Sequence, residues 1–112
     1  MAVEFHLSDL QVHQDDYYRL EFTVKDDGVM FWDAIRSLTI EVRDLEGRPT
    51  PNKRVLAWRP TEESHRLVFQ QIWFNDVEVY ERYRFVVTIT FSHGYKIEHE
   101  SNALEVIPEF SY

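Results

Sequence analysis

Hydrophobic and polar residues alternate with a period of two along most of this chain, which predicts short, half-buried β-strands. Tyr18, Leu20, Phe22 and Val24 interleave with Arg19, Glu21, Thr23 and Lys25, giving one apolar and one polar face. Asp26-Asp27-Gly28 ends that run with turn chemistry. Leu38, Ile40 and Val42 interleave with Thr39, Glu41 and Arg43 before a second turn at residues 44–47. Further strands are expected over residues 54–58 and 66–74. Pro49 and Pro51 mark a loop or a sheet edge, because proline cannot donate to a ladder.

The strongest pattern lies at residues 83–91. Tyr83, Phe85, Val87, Ile89 and Phe91 share one face, and Val86 is the one apolar member of the other. Ser92-His93-Gly94 reads as a hairpin turn. Residues 95–100 and 103–107 form a last strand or a split strand, and residues 3–7 and 10–12 a first strand broken near Ser8-Asp9. Two segments fit less simply. Phe31, Ala34, Ile35 and Leu38 have helical spacing, which predicts a single turn of helix in a connection. Residues 77–80 read as an extra strand or the start of the next one. About seven strands separated by turns predict an all-β fold: an antiparallel two-sheet β-sandwich formed by residues 1–112 as one domain.

The C-terminal third resembles the end of a fibronectin type III domain. The residues that carry the likeness are Tyr83-Arg84-Phe85-Val86-Val87, Ser92-His93-Gly94 and Ser101-Asn102-Ala103-Leu104-Glu105-Val106-Ile107-Pro108. The resemblance implies a fibronectin type III-like or immunoglobulin-like sandwich. It makes Tyr83 the corner tyrosine, whose hydroxyl bonds back to the preceding loop. The chain departs from that family where a core Trp is usual in the second strand, Phe22 being the nearest candidate. Its connection from residue 72 to residue 83 is also longer.

Composition narrows the function classes. Aromatic residues make up 15% of the chain, so the body is not disordered. A net charge of −8, with Arg and Lys scattered among the acids, argues against nucleic acid and anionic membranes as partners. The chain has no cysteine, which removes disulfides, thiolate zinc sites and cysteine nucleophiles. The N-terminus lacks a basic start followed by an apolar run, so no signal peptide is expected, and a cytoplasmic location is slightly favoured. The initial Met fits either a complete small protein or a domain taken from a larger one.

Candidate chemistry is sparse. His93 and His99 are near in sequence but lack an alternating His pair, so no metal site is expected. Asp15-Asp16 and Asp26-Asp27 are paired carboxylates of the kind calcium sites use, but no calcium-loop spacing surrounds them, and turn formation explains Asp26-Asp27 equally well. There is no nucleophile elbow and, with three glycines, no phosphate-cradling loop. The expectation is therefore no enzyme activity and no cofactor. The distinctive residues are aromatic: the run Met30-Phe31-Trp32, the pair Trp73-Phe74, and Trp58 beside Pro60. Phe31, Trp32, Trp58, Trp73 and Phe74 are candidate partner-binding residues. The competing expectation buries one member of each run in the core and another under a loop. The fibronectin-like strand order implies that the two runs lie at opposite ends of the sandwich. The function expected is a non-enzymatic module for protein–protein contact or structural spacing, including a homodimer formed through the first or last strand. The alternative is a carbohydrate- or small-ligand-binding module using its tryptophans.

Overall fold

The computed structural model describes residues 2–25, 35–57, 65–92 and 94–108. Among these residues nine strands follow one another: β1 (Ala2–Phe5), β2 (Gln11–His13), β3 (Tyr17–Lys25), β4 (Ile35–Asp44), β5 (Pro49–Ala57), β6 (His65–Trp73), β7 (Arg82–Phe91), β8 (Lys96–Glu100) and β9 (Leu104–Ile107). One sheet has three strands in the order β1-β3-β6. The other has six: β2-β9-β7-β4-β5 run side by side, and β8 also pairs with β7. The fold is an all-β, two-sheet sandwich.

The alternation of the sequence becomes the core. Leu20, Phe22 and Val24 of β3 are buried against Leu38, Ile40 and Val42 of β4 and Phe85, Val87 and Ile89 of β7. Leu104 and Val106 of β9 complete the apolar layer. Phe22 is fully buried at the centre of this layer. Burying each such side chain stabilises the fold by about 1.5–3 kcal/mol before conformational entropy is counted.

The count is nine rather than about seven because both terminal strands split, at the two breaks visible in the sequence. β1 pairs with β3 in the first sheet, and β2 pairs with β9 in the second. Tyr18 holds the crossing between them by donating its hydroxyl to the Asp9 carbonyl at 2.7 Å. Burial pushes that phenol's pKa up. At the other break, the buried Ser101 hydroxyl accepts the Phe85 amide at 3.0 Å and donates to the Asn102 carbonyl at 2.8 Å. A side chain thus takes the place of one β7 ladder bond in the gap between β8 and β9.

The pairing is not wholly antiparallel, as the alternation had suggested. β2 runs parallel to β9, with Gln11 opposite Glu105 and His13 opposite Ile107. Alternation reports which face is buried, and both pairing senses share it. The strand expected over residues 54–58 begins earlier, at Pro49, and forms the edge of its sheet. Its ladder with β4 shifts register between Glu41 and Arg43. Residues 77–80 form no strand, although Val77 is buried in the core. The expected helical turn meets β4 instead: Ile35 starts that strand and Leu38 lies buried within it. The rest of that segment, including Phe31, lies outside the described residues.

Candidate functional site

The end of the sandwich where β3 begins and β6 finishes carries an exposed aromatic pair. Tyr17 opens β3 and sits opposite Trp73, the last residue of β6. Their rings stack with centroids 5.8 Å apart and planes 25° from parallel. Tyr17 is 55% exposed and Trp73 45%. The next residue on each strand points the other way. Tyr18 and Phe74 are buried, and both pack on Phe85 with ring centroids 5.4 and 5.7 Å away.

Backbone bonds fix this edge. The Phe74 amide donates to the Asp16 carbonyl at 2.9 Å, and the Asp15 amide donates to the Phe74 carbonyl at 2.8 Å. Asp15 takes a left-handed backbone, with φ of 59°, which Asp tolerates better than most residues. The Asp16 carboxylate accepts the Tyr17 amide at 2.8 Å, so this acidic pair shapes a turn.

The connection after Phe74 packs back on the same end. The Glu78 amide donates to the Tyr83 hydroxyl at 2.8 Å, so Tyr83 does bond back to the loop before it. The Tyr80 amide donates to the Val106 carbonyl, and the Val106 amide to the Glu81 carbonyl, at 2.6 and 2.9 Å. These bonds hold Tyr80 at a φ of 69° with its side chain exposed. Beside it a cleft of about 640 Å³ opens towards the 44–48 turn, lined among others by Asp44, Leu45, Arg48, Tyr80 and Glu81. Asp44 is held below the ordinary carboxylate range, first by the Arg48 amide and then by the Arg48 guanidinium at 2.7 Å. The carboxylate is satisfied by its own turn, so it closes the loop rather than awaiting a proton.

The five proposed contact residues therefore have different fates. Trp73 is on the surface. Phe74 is a correction: its ring is wholly buried and belongs to the domain's own core. Phe31, Trp32 and Trp58 lie outside the described residues. Sequence reasoning missed Tyr17, although an aromatic residue on the polar side of the β3 alternation was the signal that could have found it. Tyr80 and Leu45 are also exposed, and their place in turns gave no period to read.

Among the described residues the histidine side chains do not converge. His6 Nε2 lies 2.7 Å from the Thr23 hydroxyl, and His13 Nδ1 donates to the Pro108 carbonyl at 2.9 Å. His99 lies on β8, and His93 is outside the described residues. Among the described residues, no three His, Cys, Asp or Glu side chains gather where a metal ion could sit. No helix of the described residues is long and apolar enough to cross a membrane.

Fold and surface together define the class, a β-sandwich domain with a mixed second sheet and an aromatic pair outside its core. No family model matches the sequence, and no curated protein matches it.

Proposed function

We propose that this domain is a non-enzymatic β-sandwich module that works by protein–protein contact through the surface around Tyr17 and Trp73. The observation that carries this reading is the pair itself. Two large rings stay about half exposed while Tyr18 and Phe74, one residue away, complete the core. Half-exposed aromatic residues held rigid on strands are efficient contact groups, because little side-chain freedom remains to be lost on binding. The split first strand and the Tyr83 hydroxyl bond support a likeness to fibronectin type III or immunoglobulin-like modules, which hold many different binding surfaces on one scaffold.

The test compares the native chain with the Tyr17→Ser, Trp73→Ser double variant as baits in an extract of the source cells. The expected result is a protein retained by the native chain and lost by the variant, with both chains giving the same circular dichroism. Identical retention by the two baits would overturn the reading. Tryptophan fluorescence across a glycan panel separates the alternative, since a saturable shift abolished by the variant would make the surface a carbohydrate site.

A further inference from the structure

Sheet edges expose unpaired backbone donors and acceptors, and most edges of this domain are blunted against pairing. β1 and β2 have only four and three residues. β8 has five, of which Lys96, Glu98 and Glu100 are exposed and charged. β5 opens with Pro49 and Pro51, which cannot donate. β6 has none of these devices. It is nine residues long, His65–Trp73, contains no proline and no acid, and has Arg66 as its one Arg or Lys. Among the described residues it pairs with β3 alone.

We infer that β6 is the edge at which a second copy of this chain adds, antiparallel across a two-fold axis, joining two three-stranded sheets into one of six. The inference deepens the reading that the domain works by protein contact, and rests on it. Charge argues for a second copy as the occupant. With a net charge of −8, two copies repel over most of their surfaces. Residues 64–75 contain none of the twenty acids, so along β6 two copies meet without that repulsion. Pairing centred on Phe69 sets His65 against Trp73 and Arg66 against Ile72 of the second copy. The two Arg66 positions are then six residues apart along the strands, about 20 Å at roughly 3.4 Å per residue. That exceeds the screening length of about 8 Å at physiological salt. A two-fold contact closes on itself, so the product is a dimer and not a filament.

The native chain is tested by light scattering across a concentration series, with amide hydrogen exchange read at both ends of it. The expected result is a doubling of mass. Exchange within residues 65–73 should slow about fivefold at a total chain concentration roughly ten times the dissociation constant, where about one chain in five is still monomeric, and more than in any other strand. Because the chain has no cysteine, Phe69→Cys supplies a unique thiol, and two such thiols opposed across the axis should be joined as a disulfide when a copper–phenanthroline oxidant is added to accept their two electrons. If that variant does not fold, the native chain's exchange map still decides. A single monomer mass throughout the series overturns the inference, as does a dimer whose protection falls on β1 or β8. A monomer that still loses its partner in the Tyr17, Trp73 double variant sinks the dimer alone. A β6-protected dimer with identical retention by both baits sinks the aromatic surface alone.

Discussion

Two aromatic groups sit one residue apart on the same two strand ends and have opposite fates. Tyr18 and Phe74 face inward, meet Phe85 and are buried. Tyr17 and Trp73 face outward, meet each other and stay half exposed. Composition and ring chemistry are alike in the two groups, so strand parity decides which rings stabilise the fold and which remain for contact. The lesson is that an aromatic run in a strand is two statements, one about the core and one about the surface.

The largest expected effect breaks the inner group. Phe74→Ala removes a fully buried ring wedged between Tyr18 and Phe85 and should cost about 3–5 kcal/mol in chemical denaturation. A loss below about 1 kcal/mol would mean that this ring is not in the core and that the parity argument fails. Trp73→Ala, one residue earlier, should move the denaturation midpoint much less.

A second change tests how the inner group is tied to its loop. Tyr83→Phe keeps the ring and deletes the oxygen that accepts the Glu78 amide at 2.8 Å. Leaving a part-buried donor without its partner should cost about 1–2 kcal/mol. Hydrogen exchange at Glu78 should rise with it. An unchanged midpoint would mean that water replaces the hydroxyl without loss.

Much of the fold was legible because burial follows period. Tyr18, Leu20, Phe22 and Val24 alternate in the sequence and are buried in the structure, and the breaks near Ser8 and Ser101 stand where the terminal strands split. Parallel pairing of β2 with β9 was not legible, since a three-residue strand leaves no mark of its neighbour's direction. The start of β5 was hidden because proline speaks against a strand interior but is tolerated at an edge. Val77 shows the reverse case, a core residue in an irregular connection whose short alternation reads as a strand that the structure does not form. At the surface, Trp73 was found by its residue type; Tyr17 stands in plain view on the polar side of the β3 alternation, but its stacking on Trp73 needed the cross-strand register that only the fold supplies.

The outer group makes a smaller claim. A double-mutant cycle on Tyr17 and Trp73 should return a coupling of about 0.2–1 kcal/mol, the range for cross-strand pairs. Zero coupling would show the rings to be independent in solution and would weaken the case for a rigid contact surface. A coupling above about 2 kcal/mol would make the pair part of the core's stability and erase the contrast with Phe74.

The smallest effect comes from the polar exception to the parity rule. On β8 the half-buried positions are Ile97 and His99, between exposed Lys96, Glu98 and Glu100. His99 thus takes an inward position opposite Val87, and its Nε2 is buried with no hydrogen-bond partner among the described residues. Burial holds its pKa below the ordinary value of 6.5, because the charged ring would lose its water. The unfolded chain therefore takes up this proton first as pH falls. The neutral ring's contribution is fully present above about pH 6.5 and declines below it, until the folded protein is protonated too. His99→Leu fills the same inward position without a titrating group. Denaturation midpoints measured from pH 8 to pH 5 should separate the two chains progressively below pH 6.5, with the variant losing less. Parallel curves would place His99 in water and return β8 to the surface.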